Sequence, residues 1–282
     1  MIYLRLIILF ISFCQNYFVY EKVILSPELN ELSGLEIFNN QLISHNDSGS
    51  QSIIYVSDKE TLNFKEVRLE NLTNVDWEDI CSDSKNLYIG DFGNNYQNRK
   101  DLKIYILNSE YKTTDSISIS YEHQVNFERN HKNRFDAEAL ISFGDDLILF
   151  SKNRINYESY IYKIPKKTKE VSLKETNKIR FRGLITGADY NEEMNLLALV
   201  GYSNDQEFQY LYLIPDFRID FNEGDVFTHV LPFYNSQIEG VKIISNNLLL
   251  LSSEDENKKE PFILKVNIPN GLINQSGKFN PK

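Results

Sequence analysis

The chain has 282 residues, enough for one large hydrophobic core, and its formal net charge is -10. This acidic balance argues against nucleic acid as a partner, because binding to phosphates needs clustered Lys and Arg. The 17 Tyr and 18 Phe, with short Ile, Leu and Tyr runs broken by Asn, Asp, Gly and Ser, favour strands over helices. We therefore predict an all-β protein.

The first predicted element is a signal peptide over residues 1–14. Arg5 precedes an apolar stretch from Leu6 to Phe13, and small residues stand at the -3 and -1 positions of a cut before Gln15. The apolar stretch is too short to span a bilayer, so we expect a mature domain over residues 15–282 with no transmembrane segment. The expected location is secreted or periplasmic. A lipoprotein anchor through Cys14 and a buried first strand are the alternatives.

Five segments of the remaining chain share one pattern. Each has a small or acidic anchor residue, an apolar strand, a polar turn, a second apolar strand and a polar exit. The segments are "SGLEIFNNQLISHNDSG", "WEDICSDSKNLYIGDFGNN", "AEALISFGDDLILFSKNR", "TGADYNEEMNLLALVGYSN" and "IEGVKIISNNLLLLSSEDE", with anchors Gly34, Glu78, Glu138, Gly187 and Glu239. Successive anchors lie 44, 60, 49 and 52 residues apart. This spacing is typical of four-stranded blades in a β-propeller.

The number of blades depends on the two ends of the repeat array. The fifth segment ends after its third strand, "FILKVNI", while the strand "YFVYEKVILS" stands unassigned before the first anchor. We expect this N-terminal strand to close the ring as the missing outer strand, because an open ring leaves unpaired strand edges. The prediction is a single five-bladed β-propeller. Six blades are the alternative, if the 60-residue interval contains further strands.

The blade geometry predicts a metal site. The innermost strand of a blade runs along the central axis and the next strand returns antiparallel, so anchors and exits meet at one mouth of the channel. Carboxylates crowded there repel one another unless a cation or raised pKa values relieve them. We therefore predict that Glu78, Glu138, Asp189 and Glu239 hold Ca²⁺ or another divalent cation through oxygen atoms.

The exits add polar side chains that we expect to contact a small-molecule or protein ligand at the same mouth. They are His45, Asp47, Asp91, Asn94, Lys152, Arg154 and Tyr202. Turn formation is the alternative role for Asp47, because Asp side chains cap backbone amides in tight turns. Hydrogen bonding to backbone amides of the next blade is the alternative role for the anchor glutamates.

The motifs "HNDSG", "DWEDI", "GDFGNN", "DAEAL" and "TGADY" together resemble a group of exported, largely uncharacterised bacterial β-propeller proteins over nearly the whole mature chain. The resemblance implies an extracytoplasmic propeller and carries no established activity. More loosely, "IEGV", which contains Glu239, is similar to the metal-ligand glutamate motif of gluconolactonase-like propellers, and the acidic mouth resembles that of calcium-dependent phytases.

Two functions remain open on the sequence. The chain has no G-x-S-x-G nucleophile elbow, no H-E-x-x-H zinc motif and no Walker loop. The absence of these motifs favours an exported scaffold whose acidic mouth binds a ligand through a divalent cation. The clustered carboxylates keep a metal-dependent hydrolase, of the lactonase, esterase or phosphatase type, as the alternative.

Overall fold

The computed structural model describes residues 17–254, 260–269 and 272, so the predicted signal peptide lies outside the described residues. The described part of the chain is all-β. In chain order its strands are β1 (Val19–Ile24), β2 (Leu32–Phe38), β3 (Gln41–Asn46), β4 (Ile53–Ser57), β5 (Lys65–Arg68), β6 (Trp77–Ser82), β7 (Leu87–Asp91), β8 (Lys103–Leu107), β9 (Thr113–Tyr121), β10 (Ala137–Phe143), β11 (Asp146–Ser151), β12 (Glu158–Pro165), β13 (Glu170–Leu173), β14 (Glu175–Arg180), β15 (Leu184–Asn191), β16 (Leu196–Tyr202), β17 (Gln209–Pro215), β18 (Phe227–Leu231), β19 (Ile238–Ser245), β20 (Leu248–Ser253) and β21 (Phe262–Asn267). Two short 3-10 helices, Pro27–Leu29 and Glu223–Asp225, are the helical elements of this part, and neither could cross a membrane.

The strands form five sheets arranged as the blades of a propeller. From the inside outwards, the blades are β2-β3-β4-β5, β6-β7-β8-β9, β10-β11-β12-β14, β15-β16-β17-β18 and β19-β20-β21-β1. Strands within each blade pair antiparallel, and each innermost strand contacts the innermost strands of both neighbouring blades. The contact between β19 and β2 completes the ring. The predicted five-bladed propeller is therefore confirmed.

The N-terminal strand closes the ring as predicted. Strand β1 pairs antiparallel with β21, so that Val19 lies opposite Asn267 and Ile24 lies opposite Phe262. The last blade is thus built from both ends of the repeat array, which covers the edge that β21 would otherwise expose.

The 60-residue interval between the second and third anchors contains no sixth blade. Its extra length lies in the nine-residue strand β9 and in the connection over residues 122–136. The short strand β13, which follows the lysine-rich turn of the third blade, pairs in parallel with β9 and places Glu170 opposite Ser118. This fifth strand covers the outer edge of the second blade and links it to the third.

Each innermost strand has a bulge or register shift at its mouth end. In four blades one extra residue stands between two paired residues, and these extra residues are Glu78, Glu138, Thr186 and Glu239; in the first blade the shift includes Gly34. The predicted fourth anchor, Gly187, is therefore off by one residue, because Thr186 occupies the equivalent position. Bulges redirect side chains and are frequent beside functional sites.

Apolar side chains from adjacent blades form the core. Between the first and second blades, for example, Ile43 and Ile54 belong to the same buried cluster as Trp77 and Ile89. The Trp77 ring is fully buried, and its Nε1 donates to the carbonyl oxygen of Thr73 at 3.1 Å. Packing of this kind holds the blades rigidly around the channel and fixes the position of the mouth.

Candidate metal and ligand site

A pocket of about 240 Å³ lies at the mouth of the channel. All five blades or their connections contribute to its walls, which consist of Asp47, Asn95, His131, Glu138, Lys152, Arg154, Leu184, Tyr202, Asn204, Gln206, Gln237, Glu239 and Glu254. The pocket thus brings together six of the residues selected from the sequence. Its walls are strongly polar, which suits a ligand that forms hydrogen bonds.

Two groups of carboxylates lie at this mouth. Asp47, Asp76 and Glu78 each place an oxygen within 4.8 Å of the other two, and Glu78 forms a second such group with Asp136 and Glu138. Glu78 therefore stands between the two groups. Its side chain is buried, and its Oε1 has no hydrogen-bond partner in the described part of the protein.

Gly93 borders the first group and leaves room for it. A Cβ atom at this position would lie 1.9 Å from Oε1 of Glu78 and 2.4 Å from Oδ2 of Asp76. Any side chain there would enter the space of the two carboxylates. The second glycine of "GDFGNN", Gly93, is thus explained by the close approach of the Glu78 and Asp76 carboxylates to its backbone.

Lys and Arg form direct ion pairs with two carboxylates of the second group. Lys152 pairs with Glu138, and Arg154 pairs with Asp136 while its Nη2 lies 3.6 Å from Oε1 of Glu138. The Nη2 atom of Arg154 also donates to Oδ1 of Asn95 at 2.5 Å. These pairs neutralise much of the second group.

The first group has no comparable compensation. Among the described residues, Asp47, Asp76 and Glu78 form no ion pair with Lys or Arg. Burial, followed by repulsion from Asp136, raises the pKa of Asp76 to about 7. Burial and the neighbouring carboxylates Glu138 and Asp47 raise the pKa of Glu78 well above its usual value. The arrangement therefore binds protons at neutral pH, or a cation in their place.

Asp189 lies deeper in the channel and does not join the predicted metal ligands. Its Oδ1 accepts a hydrogen bond from Nζ of Lys242 at 2.7 Å, and its Oδ2 accepts one from the amide of Ile243 at 2.7 Å. Lys242 also pairs with Glu36 of the first blade. The reason is the blade-four register: Thr186 occupies the mouth position, and Asp189 stands three residues further along the strand.

The deeper carboxylates form the inter-blade hydrogen bonds that were the alternative role for the anchors. Oδ2 of Asp79 accepts from the amides of Leu140, at 2.7 Å, and Ala188, at 3.3 Å. Oε2 of Glu36 accepts from the amide of Ser82 at 2.9 Å. Asp79 thus connects the second, third and fourth blades, while Glu36 connects the first and second.

The remaining predicted metal ligand, Glu239, lines the pocket but belongs to neither carboxylate group. Burial raises the pKa of Glu239 well above its usual value, although the nearby ammonium of Lys152 opposes the shift. Nζ of Lys152 also lies 5.0 Å from the centre of the Tyr202 ring. All three residues line the pocket, and Lys152 joins them to the second carboxylate group through its ion pair with Glu138.

Two predicted ligand residues do not line the pocket because they hold the loops of the second blade. Asp91 is fully buried and pairs with Nη2 of Arg99 at 2.8 Å. Asn94 donates from its amide to Oδ1 of Asp136 at 2.7 Å and from Nδ2 to the carbonyl oxygen of Phe135 at 2.9 Å. These contacts position the carboxylates without facing a ligand.

His45, the third predicted ligand residue outside the pocket, is fully buried. Its Nδ1 lies 3.1 Å from the carbonyl oxygen of Asn46, which accepts the Nδ1 proton. Burial lowers the pKa of His45 to about 4, so the ring is neutral at physiological pH. Its edge-to-face contact with Trp77, at 5.7 Å between ring centres, indicates a packing role.

The predicted metal set omitted Asp76 and Asp136. Each precedes a mouth glutamate by two residues, in "DWE" and "DAE", which the second and third blades share. Residues two apart on a strand face the same side, so this repeated D-x-E motif was the available signal. In the structure each aspartate stands directly before its strand, Asp76 before Trp77 and Asp136 before Ala137.

No protein-family model matches the chain, and no curated protein matches its sequence. Solved structures are similar to it in fold. Glutaminyl cyclase from Myxococcus xanthus is 8% identical, with 87% of this chain and 95% of that chain covered and a TM-score of 0.49. A protein of unknown function from Bacteroides caccae is 9% identical, with 88% and 79% covered and a TM-score of 0.47.

Hydrazine synthase from Kuenenia stuttgartiensis is 10% identical with a TM-score of 0.43; the match covers 81% of this chain and 57% of that chain. Similarities at this level carry no argument about activity. The propeller assignment rests on the strand pairing of the chain itself. Beyond that fold, the resemblance to exported bacterial propellers stays a prediction.

Proposed function

We propose that the protein binds a divalent cation at the channel mouth and, through it, a ligand in the pocket. The observation that carries the proposal is the unpartnered, buried Oε1 of Glu78 within the group of Asp47, Asp76 and Glu78. A buried carboxylate oxygen without a donor costs free energy unless a proton or an ion occupies the space beside it. Lys152 and Arg154 form their ion pairs with Glu138 and Asp136 of the neighbouring group. A bound cation would therefore supply the positive charge that Asp47, Asp76 and Glu78 lack.

Calcium fits this set of donor atoms best. Asp47, Asp76 and Glu78 offer carboxylate oxygens and neither sulfur nor imidazole nitrogen, which favours a hard cation over zinc or copper. Ca²⁺ accepts flexible oxygen cages and leaves positions for water or ligand hydroxyls. Export, which we propose from residues 1–14, would place the site outside the cytoplasm, and extracellular protein modules commonly bind calcium weakly.

Calcium should stabilise the protein, and Glu78→Gln should abolish this effect. At a calcium concentration about 100 times the Kd, mass action adds about 2.7 kcal/mol to the free energy of unfolding. The Gln variant keeps the shape of the side chain but removes the ionisable carboxyl group. In chelator it should be as stable as the wild type or slightly more stable, because this position then needs neither to take up a proton nor to bear repulsion from the neighbouring carboxylates.

Calorimetric titration of the metal-free protein and melting curves with calcium and with chelator measure both effects. Glu66→Gln, on the exposed edge strand β5, is the matched control and should keep calcium binding. The opposite outcome is a wild-type melting temperature that does not change with Ca²⁺ or Mg²⁺, together with a Glu78→Gln variant that is less stable than the wild type in chelator. This result would show that Glu78 has a structural role.

Calcium affinity should depend on pH around neutrality. In the metal-free protein the raised pKa keeps Asp76 protonated up to a pH of about 7, and the raised pKa of Glu78 acts in the same direction. Calcium must displace the proton of Asp76, so its affinity should rise as the pH increases through about 7. Titrations in buffers of different ionisation enthalpy report the released protons. An affinity that is flat between about pH 6 and pH 8 would contradict this coupling.

A metal-dependent hydrolase is the second candidate, and Asp76 is the residue that favours it. A half-buried carboxylate with a pKa of about 7 can accept or donate a proton at neutral pH, as a general acid-base catalyst must. Assays with lactone, ester and phosphate monoester substrates, in calcium and in chelator, test this candidate. Hydrolysis that is absent in calcium leaves the protein as a binding scaffold.

A further inference from the structure

The mouth face carries most of the exposed apolar side chains. Ten large hydrophobic residues are exposed within the described ranges, and six of them lie in connections on this face. These six are Val75, Tyr96, Val125, Ile155, Phe208 and Tyr234. Several exposed apolar side chains on the face that holds the pocket make this face the candidate binding surface.

Two aromatic groups flank the pocket. Tyr96 directly follows the pocket residue Asn95; it is 40% exposed, and its ring lies 3.7 Å from the guanidinium carbon of Arg129. On the fourth blade, the rings of Phe208 and Tyr234 lie 6.1 Å apart in an edge-to-face arrangement. Tyr96 also contacts the pocket residue His131, at 5.6 Å between ring centres, while Phe208 and Tyr234 lie two and three residues along the chain from the pocket residues Gln206 and Gln237.

The charges of the pocket disfavour an anionic ligand. Both cations that line it are already engaged, Lys152 with Glu138 and Arg154 with Asp136. The proposed divalent cation gives no net positive field either, because Asp47, Asp76 and Glu78 carry three formal negative charges against its two. A phosphate or carboxylate would therefore enter an electrostatically unfavourable site.

The polar wall suits hydroxyl groups. The wall contains the side-chain amides of Asn95, Asn204 and Gln206, and Glu239 adds carboxylate oxygens. The amide of Gln237 bonds within the wall to Tyr202 and Glu254, and Oδ1 of Asn95 accepts from Arg154, which leaves Nδ2 of Asn95 as its donor. Hydroxyl oxygens can also complete the coordination of a calcium ion. A volume of about 240 Å³ is smaller than the roughly 300–1,000 Å³ of drug-sized sites, so a small polar ring fits it better than an extended aromatic ligand.

We propose that the mouth binds a neutral carbohydrate, with sugar hydroxyls at the cation and the amide wall and a neighbouring sugar ring against Tyr96 or the Phe208–Tyr234 pair. The proposal rests on the calcium site proposed above. Aromatic rings supply large, rigid contact surfaces for the apolar faces of sugar rings, while the pocket recognises the hydroxyls. The ligand class thus follows from the combination of neutral charge, hydroxyl partners and aromatic flanks.

A glycan array tests this ligand class directly. It should contain neutral oligosaccharides beside sialylated, uronate-containing and sulfated ones, and it should be probed with the full-length mature protein in calcium and in chelator. We expect binding to neutral glycans that is lost in chelator. Tyr96→Ala or Phe208→Ala should weaken that binding by about 2- to 10-fold, which corresponds to the usual contribution of one aromatic contact. Val230→Ala, which removes an exposed apolar side chain from the outer strand β18, should leave it unchanged.

Calcium binding, measured separately by calorimetry, shows which proposal fails. Calcium binding without binding to neutral glycans, or with binding to acidic glycans alone, overturns the carbohydrate inference and leaves the metal site intact. Aromatic variants that bind glycans as well as the wild type also overturn it. Absence of calcium binding overturns both proposals.

Discussion

Deletion of residues 17–25 should leave the fifth blade without its outer strand and lower the melting temperature by at least about 10 °C, the shift expected for a loss of several kcal/mol in a protein of this size. The deletion removes strand β1 and exposes the whole edge of β21. It also removes two contacts with the fourth blade: the Phe18 ring stacks on His229 at 3.7 Å, and the hydroxyl of Tyr20 lies 2.5 Å from Nε2 of the same histidine. The expected loss is a large share of the 5–15 kcal/mol typical of a domain.

A synthetic peptide of sequence "YFVYEKVILS" should restore the melting temperature when it is added to the truncated protein, because an exposed edge accepts a strand from another chain. A peptide with Asp in place of Tyr20 and Val23, the two partly buried positions of the strand, is the matched control and should fail. Calorimetry and circular dichroism follow both. A truncated protein that melts like the intact one would exclude β1 as the closing element.

The blades were predictable because the information for each is local. A hairpin such as β6–β7 is encoded by alternating apolar residues around a polar turn, and five copies of that pattern predict five innermost hairpins. The closing role of β1 was predictable because the fifth repeat has only three strands and the N-terminal strand belongs to no repeat. The parallel pairing of β13 with β9 was not predictable, because it joins two blades through an edge rather than completing a repeat.

The depth of each side chain in the channel was not predictable from the repeats. One extra residue in an innermost strand changes which side chain faces the mouth, and the sequence does not show where that residue is inserted. In the fourth blade the shift moved the anchor from Gly187 to Thr186 and left Asp189 in the deeper layer. The ion pair between Lys242, the partner of Asp189, and Glu36 was not predictable for a second reason: the two residues are 206 positions apart and meet only because the ring closes.

The deeper layer contains a buried ion triad that connects three blades. Lys242, on the innermost strand of the fifth blade, bonds to Glu36 of the first and to Asp189 of the fourth. All three side chains are buried. Although burial alone lowers the pKa of Lys242, the carboxylates of Asp189 and Glu36 raise it above its usual value, so the lysine is charged at all physiological pH values.

Lys242→Met should lower the free energy of unfolding by about 3–5 kcal/mol, the usual cost of removing one partner from a buried ion pair. Methionine preserves the length and most of the volume of the side chain. It leaves Glu36 and Asp189 as two buried carboxylates without their cation, and the folded state must then protonate at least one of them. Folded-state pKa values above those of the unfolded chain give stability that falls as the pH rises, so the loss should be larger at pH 8 than at pH 5.

Chemical denaturation at both pH values measures the effect, and two variants separate its causes. Lys163→Met, which removes a half-exposed partner of Asp146, should cost less than about 1 kcal/mol. The triple variant Lys242→Met, Glu36→Gln and Asp189→Asn should recover most of the loss and its pH dependence. Its neutral amide oxygens can still accept from the backbone amides of Ser82 and Ile243, and neutral replacements of buried ion triads are often tolerated.

Calcium binding should persist in Lys242→Met wherever the variant remains folded, because Asp47, Asp76 and Glu78 form their group at the mouth without contact to the triad. Loss of calcium binding in this variant would mean that the two layers of the channel act as one site. A Lys242→Met variant as stable as Lys163→Met, at both pH values, would mean that water reaches the deeper layer and that the blades are held together by their apolar interfaces alone.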